Sequence, residues 1–297
     1  MKKTLAMMTA AVMVAGALAG CGSSSSTPAA TTAAATEAAT TAAATEAATT
    51  EAAGDTAATA EGTVKTPSGK FTVGFDQEFP PMGFVGDDGQ FTGFDLDLAK
   101  EVASRLGLEF VPQPINWDAK DMELDSGNID CIWNGFTMQG REDDYTWVGP
   151  YMANNQVFVV TADSDIASKA DLAGKAVEVQ KDSSGLAALQ GEAELSASFG
   201  SMTEVADYNT ALMDLESGAC DAVCMDSIVA GYQIKSSGKD MKILDDTLSA
   251  EEYGIGFKKG EDALAKAVHD TLMDMKDDGT VAKISNDWFG SDVFTLK

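Results

Sequence analysis

The sequence is poor in positive charge and in residues that bind soft metals. Lys and Arg number 20 among 297 residues, against 47 Asp and Glu, so the formal net charge is −27. Because nucleic acids are held by clusters of Lys and Arg, this balance excludes a nucleic-acid-binding protein. One His and four Cys are too few for a zinc site or a Cys–His nucleophile at the usual spacings. We therefore expect no metal, no cofactor and no catalytic residue.

The first twenty residues have the pattern of a secretory signal. Lys2 and Lys3 precede an apolar run over residues 5–18, which is too short to remain as a membrane span. The run ends in Leu-Ala-Gly followed by Cys21, which resembles a bacterial lipobox. That resemblance implies a signal peptide over residues 1–20 and lipidation of Cys21. The predicted location is extracytoplasmic, anchored to the cell membrane by this lipid.

Residues 21–63 consist mostly of Ala, Thr, Ser and Glu and contain no aromatic residue. The nonapeptide TTAAATEAA occurs at residues 31–39 and again at 40–48. A segment without large apolar side chains cannot offset the entropy lost on ordering. We predict that residues 21–63 are a low-complexity tether between the lipid and the folded part.

The rest of the chain alternates between strand and helix patterns. Apolar runs predict strands at residues 71–75 and 129–133, and helical spacing of apolar residues predicts a helix at 95–107. The alternation begins again with strands at 156–161 and 176–180. This order predicts an α/β protein with a mostly parallel sheet.

The two halves share a similar segment. Residues 124–133 and 215–224 both have the pattern of a helix that ends at Ser-Gly and is followed by a strand. Two similar α/β lobes explain this repeat. Since ligands of open α/β sheets bind beyond the carboxyl ends of strands, residues 134–135 and 225–226 are expected to face a shared cleft.

Six stretches resemble family 3 of the extracellular solute-binding proteins, the receptors of polar amino-acid ABC transporters. They are GFDLDLAKEVASRLGLEF, SGNIDCIWNGFTM, DLAGKAVEVQ, LESGACDAVCMDS, EEYGIGFKKG and DGTVAKISNDWFG. The resemblance implies the type II periplasmic-binding-protein-like fold, with two lobes, two hinge strands and a ligand cleft between them. Lobe 1 would comprise residues 64–155 and 252–297, and lobe 2 residues 156–251.

A free amino acid needs an anion-binding group and a cation-binding group a few Å apart. Arg141 suits the carboxylate, because guanidinium donates two parallel bonds. In the family pattern the Arg stands one residue later, and a surface Arg paired with Glu142 or Asp143 is the alternative. Ser183 and Ser184 precede a predicted helix, whose N-terminus would add hydroxyl and N–H donors to the carboxylate.

The resemblance implies three acceptors for the ligand ammonium and a pocket for its side chain. The acceptors are Asp226, the Gly135 carbonyl and the Thr137 hydroxyl. The pocket candidates are Asp76, Glu78, Phe79, Trp117, Trp133 and Asn134. Core packing is the alternative for the aromatic rings, and solvent-exposed charge for the two acids. If Asp76, Glu78 and Asp118 face the cleft, repulsion disfavours an anionic ligand. Polar neutral or cationic amino acids remain, with cystine and glutamine among them.

The predicted function is capture of a free polar amino acid by lobe closure and its delivery to the ABC permease of the cytoplasmic membrane. The protein would act as a monomer and not as an enzyme. A cyclohexadienyl dehydratase-like enzyme, with Glu78 as the acid, shares the fold and is one alternative. A ligand-sensing or adhesive lipoprotein is another. Cys220 and Cys224, four residues apart along a strand, lie beyond disulfide reach of each other and are expected to be buried thiols. A bridge between Cys131 and Cys224 would lock the cleft.

Overall fold

The structure is a computed structural model, and it describes residue 66 and residues 68–297. The predicted signal peptide (1–20), the lipidation site Cys21 and the tether (21–63) lie outside these residues. In the part that the structure describes, no helix combines the length and the apolar character needed to cross a membrane.

The first half of the described chain forms seven strands and two helices. In order they are β1 (Lys70–Phe75), β2 (Glu78–Phe79), β3 (Gly83–Val85), β4 (Phe91–Thr92), α1 (Phe94–Leu106), β5 (Glu109–Pro114), a 3₁₀ turn (Trp117–Ala119), α2 (Lys120–Asp125), β6 (Cys131–Thr137) and β7 (Tyr145–Thr161). Acids occupy the first turn of α1, where the helix dipole favours negative charge, and Gly107 ends it in the left-handed conformation.

The second half repeats the alternation. It contains a 3₁₀ turn (Lys169–Leu172), β8 (Ala176–Gln180), α3 (Ser184–Gly191), α4 (Ala193–Ser198), β9 (Ser201–Val205), α5 (Tyr208–Ser217), β10 (Ala222–Asp226), α6 (Ser227–Ser237), β11 (Met241–Ile243), β12 (Ser249–Lys258), α7 (Asp262–Asp277) and α8 (Thr280–Phe289). The predicted internal repeat is present. Helix α2 is followed by Gly127 and then by β6, and helix α5 is followed by Gly218 and then by β10. Both glycines have positive φ.

Nine strands form one mixed sheet in the order β5-β1-β6-β12-β7-β10-β8-β9, with β11 paired to β7. Pairs β5–β1, β1–β6, β10–β8 and β8–β9 are parallel, whereas β6–β12, β12–β7 and β7–β10 are antiparallel. The expectation of a mostly parallel sheet is therefore wrong at the centre. The reason is that two long neighbouring strands, β7 and β12, run in opposite directions between the two parallel groups.

These two strands join the lobes. The first lobe contains β1 to β6 with α1, α2, α7 and α8, and the second contains β8 to β11 with α3 to α6. Strand β12 pairs with β6 from Tyr253 onward, and β7 pairs with β10 from Gln156 onward. Between these points β7 and β12 pair with each other, as hinge strands do. The lobe boundaries at residues 155/156 and 251/252 stay a prediction.

Each lobe is packed around buried apolar side chains. Trp133 and Phe94 lie in the first lobe's core, and Phe158 and Leu189 lie in the second lobe's core. Cys131, Cys220 and Cys224 are buried free thiols. No disulfide therefore connects the described parts of the two lobes.

Candidate functional site

A small cavity of about 10 Å³, which is room for roughly one water molecule, lies between the lobes at the carboxyl ends of β6, β8 and β10. Its lining consists of Phe79, Trp117, Gly135, Thr137, Arg141, Gln180, Ser183, Ser184 and Asp226. Eight predicted site residues therefore lie together, and only Gln180 is new. The strand ends meet here because the parallel strands of each lobe point toward the cleft.

Arg141 supplies positive charge at the first lobe's wall. Its Nη1 donates to the Thr137 carbonyl at 3.2 Å, and its Nη2 donates to the Asp182 carbonyl of the second lobe at 3.4 Å. The guanidinium lies 5.1 Å from the centroid of the Phe136 ring. Among the ion pairs of the described residues Arg141 has none, so the alternative pairing with Glu142 or Asp143 is not seen. Its charge is available to an anion in the cavity.

The N-terminus of α3 forms the facing wall. The Ser183 hydroxyl caps the helix by accepting from the Leu186 N–H at 3.1 Å. The first N–H groups of a helix have no intrahelical partner, so they suit an anion at this wall. The Ser184 hydroxyl instead accepts from Gln156 Nε2 at 3.1 Å and lies 3.2 Å from Thr137 Oγ1. Of the two predicted serines, Ser184 thus lies toward the opposite, acidic side.

Asp226 forms the acidic side of the cavity and is 3% exposed. Its Oδ1 accepts from the Tyr253 hydroxyl at 2.8 Å and from Asn154 Nδ2 at 2.7 Å, and its Oδ2 accepts from the Tyr208 hydroxyl at 3.3 Å. Burial and then the negative charge of Glu251 raise the pKa of Asp226 to about 8. A cation placed beside it would favour the ionised form.

Gly135 and Thr137 lie at the end of β6. Gly135 has a φ of +57°, and its N–H donates to Asp95 Oδ2 at 2.7 Å. Asp95 also accepts from the Tyr151 hydroxyl, and burial raises the pKa of Asp95 to about 7. The Thr137 hydroxyl donates to Glu251 Oε1 at 2.9 Å. This buried network fixes the backbone and the hydroxyl that face the cavity.

A wider acidic cleft adjoins the small cavity at Trp117. Its charged lining consists of Asp76, Glu78, Asp118, Glu123, Glu204, Asp207 and Lys181. Burial raises the pKa of Asp76 to about 6, and Asp76 Oδ2 accepts from Gln180 Nε2 at 2.7 Å. Asp76 and Glu78 therefore lie in this outer cleft, whereas Phe79 lines the small cavity.

Trp133 and Asn134, the other two pocket candidates, line neither cavity. Trp133 is fully buried, and its ring centroid lies 6.4 Å from that of Tyr151. It lies deeper in the core because β6 continues for four residues beyond it. Asn134 is the next residue along β6, so its side chain lies on the opposite face of the strand from Trp133. There its Oδ1 accepts from the Asp76 N–H at 3.0 Å. Both are corrections to the expected lining.

Side chains from the two lobes contact each other across the cleft. Lys181 of the second lobe pairs with Asp118 of the first, with 2.7 Å between Nζ and Oδ2. The buried Lys120 of the first lobe pairs with Asp182 of the second. The ring centroids of Phe84 and Tyr232 are 6.0 Å apart. These contacts define a closed arrangement of the lobes.

Sequence reasoning missed a set of buried polar residues on the hinge strands and around them. They are Asn154, Gln156, Gln180, Tyr208, Glu251, Tyr253 and Asp95. Asn154 and Gln156 are two residues apart in β7, so they share one face, but the polar Asn155 between them hides this spacing in the sequence. Only the pairing of β7 with β12 brings Glu251 to the same place.

Two α/β lobes joined by two long strands, with a cation and a carboxyl group in the cleft, define a two-lobed binding protein for a small zwitterionic solute. The chain belongs to the bacterial extracellular solute-binding proteins, family 3, whose model matches residues 71–291. The fold class and family expected from the sequence are thus confirmed.

Relatives in this family are binding proteins. The L-cystine-binding protein TcyJ of Escherichia coli is 32% identical over 231 residues, which cover 76% of this chain and 84% of TcyJ. The L-cystine-binding protein TcyA of Bacillus subtilis is 31% identical, covering 76% of this chain and 83% of TcyA. An ABC uptake transporter substrate-binding protein from Streptococcus pneumoniae, solved with bound histidine, superposes with a TM-score of 0.74 at 34% identity. That comparison covers 77% of this chain and 95% of the other.

Proposed function

We propose that this protein is the substrate-binding component of an ABC uptake transporter and captures a free polar amino acid between its lobes. The observation that carries the proposal is that Arg141 of the first lobe and Asp226 of the second line one small cavity. The two groups complement the opposite charges of an α-amino acid. Relatives named for cystine and a structure with bound histidine support the same class of ligand.

The ligand carboxylate binds Arg141 and the N-terminus of α3, where Ser183 and Ser184 begin the helix. The planar guanidinium donates two parallel bonds to a carboxylate, and the helix terminus adds N–H donors. The ammonium binds Asp226, the Gly135 carbonyl and the Thr137 hydroxyl. All six residues line the cavity.

The ligand side chain extends past Phe79 and Trp117 toward the acidic outer cleft. Six carboxyl groups and a single Lys among the described residues line that cleft. Like-charge repulsion disfavours an anionic side chain there. The ligand is therefore a polar neutral or cationic amino acid, with cystine and glutamine in this class.

Binding is coupled to closure. Ligand contacts to both lobes exist only in the closed arrangement, so the ligand shifts the population toward it by this differential affinity. The closed form then presents the ligand to the permease of the cytoplasmic membrane. Lipid on Cys21 and the tether over residues 21–63 keep the lobes near that membrane.

A thermal-shift screen tests this function. The protein is heated with each of the twenty amino acids, cystine, ornithine and prephenate. Because a ligand that binds only the folded state raises the midpoint by mass action, a shift with one or a few polar amino acids is expected. No shift with any amino acid would contradict the proposal. Turnover of prephenate would instead indicate the dehydratase alternative.

A further inference from the structure

Glu251 lies on hinge strand β12, behind the cavity, and one oxygen of its carboxylate collects donors from three elements. Glu251 Oε1 accepts from Thr137 Oγ1 at 2.9 Å, from Asn154 Nδ2 at 2.6 Å and from Gln156 Nε2 at 2.9 Å, with Ser184 Oγ at 3.4 Å. Glu251 is 5% exposed and does not line the cavity. So many donors on one oxygen are typical of an ionised carboxylate.

This arrangement sets the direction of the Thr137 hydroxyl. A hydroxyl has one proton, and the Thr137 proton points to the anionic oxygen of Glu251. The lone pairs of Thr137 Oγ1 then remain for a donor in the cavity. An ammonium group, which only donates, fits this polarity, whereas a neutral acceptor does not.

Glu251 also lies beside Asp226. The amide nitrogen of Asn154 bridges them, at 2.6 Å from Glu251 Oε1 and 2.7 Å from Asp226 Oδ1. The other titratable groups around Asp226 are the hydroxyls of Tyr208 and Tyr253 and the thiol of Cys224, all of which burial keeps neutral by raising their pKa. Arg141 is the cation of the same cavity. Burial and then the negative charge of Glu251 favour the protonated form of Asp226 until a cation arrives.

We propose that Glu251 is a positioning residue for the ammonium subsite: it holds Thr137 as an acceptor and couples amino-acid binding to release of a proton from Asp226. This inference rests on the proposed function. When the ammonium enters, the Asp226 O–H bond breaks, the carboxylate keeps the electron pair and the proton passes to solvent. Because burial and then Glu251 raise the pKa of Asp226, affinity rises with pH through the range in which free Asp226 loses its proton.

The test is calorimetric titration of the wild-type protein with L-arginine, L-histidine, L-glutamine and L-cystine at pH 6, 7 and 8. Each titration at pH 7 is repeated in phosphate and in Tris, whose different ionisation enthalpies report proton release. We expect release of a substantial fraction of one proton, and affinity that falls by up to about tenfold per pH unit below pH 8. Binding without proton release would overturn this inference alone. If none of these amino acids nor any other binds, both proposals fail.

The variant Glu251→Gln separates positioning from simple support of the fold. Gln keeps an acceptor oxygen but removes the negative charge, so the Asp226 pKa falls. We expect roughly tenfold or greater loss of affinity at pH 8, less proton release at pH 7 and a flatter pH profile. The matched control is Glu252→Gln, the neighbouring exposed residue with the same charge change. A Glu251→Gln profile identical to that of Glu252→Gln would overturn the inference. The proton release of the wild-type protein tests it even if the variant does not fold.

Discussion

Replacement of Arg141 by Ala should abolish measurable binding of every amino acid. The guanidinium makes only two bonds to backbone carbonyls, at 3.2 and 3.4 Å, and no described ion pair, so its charge is available to the ligand carboxylate. Two charge-assisted hydrogen bonds contribute about 1.5 to 3 kcal/mol each. Their loss, about 3 to 6 kcal/mol in total, weakens binding roughly 150- to 25,000-fold.

Calorimetric titration with the strongest ligand of the thermal-shift screen measures this effect. Arg141→Lys keeps the charge but loses the parallel pair of bonds, so an intermediate loss of roughly five- to thirtyfold is expected. The matched control is Arg105→Ala, at the other Arg of the chain. Arg105 pairs with Glu101 and Asp278 on the surface, and its removal should lower stability slightly while leaving affinity unchanged. Wild-type affinity in Arg141→Ala would refute the assignment.

Two further predictions concern stability. Gly135→Ala should destabilise by more than about 1 to 2 kcal/mol and weaken binding, because φ is +57° and the new Cβ would lie 2.9 Å from Phe79 Cε1. Gly127→Ala, at φ +75° in open space, is the control; equal losses in urea unfolding would contradict the steric argument. The free energy of unfolding should rise as pH falls from 8 to about 5. The native state binds more protons than the unfolded state, since the pKa values of Asp76, Asp95 and Asp226 are about 6, 7 and 8 against 3.8. The free energy of unfolding is measured by urea titration at each pH. A value that increases from pH 5 to pH 8 would contradict this prediction.

Local signals in the sequence were sufficient for helix α1 and for most of the residues that line the cavity. Gly107 ends α1 where the pattern predicts, because glycine readily adopts the left-handed conformation. Gly135 and Asp226 lie in the carboxyl-terminal parts of β6 and β10, Arg141 lies in the loop after β6, and parallel strands bring such positions together. These residues could therefore be assigned from their positions along the chain and from the family resemblance.

Long-range pairing accounts for what could not be predicted. Strand β6 runs to Thr137 although the apolar pattern predicted a strand over residues 129–133, because Gly135 stays within the strand despite its positive φ. Strand β7 begins at Tyr145 rather than near residue 156, since its hinge portion carries polar residues that hide the strand pattern. Glu251 reaches Thr137 only through the pairing of β12 with β6 and β7. No local pattern in residues 249–258 predicts that contact.

The central claim is that both charged groups of a free α-amino acid are held in the cavity between the lobes. The most direct measurement is calorimetric titration with the amino acid that gives the largest thermal shift, beside its α-amide and its N-acetyl derivative. The amide lacks the carboxylate that Arg141 binds, and the acetyl derivative lacks the ammonium that Asp226 binds. We predict tight binding of the amino acid and at least a hundredfold weaker binding of both derivatives. Equal binding of either derivative would contradict the account.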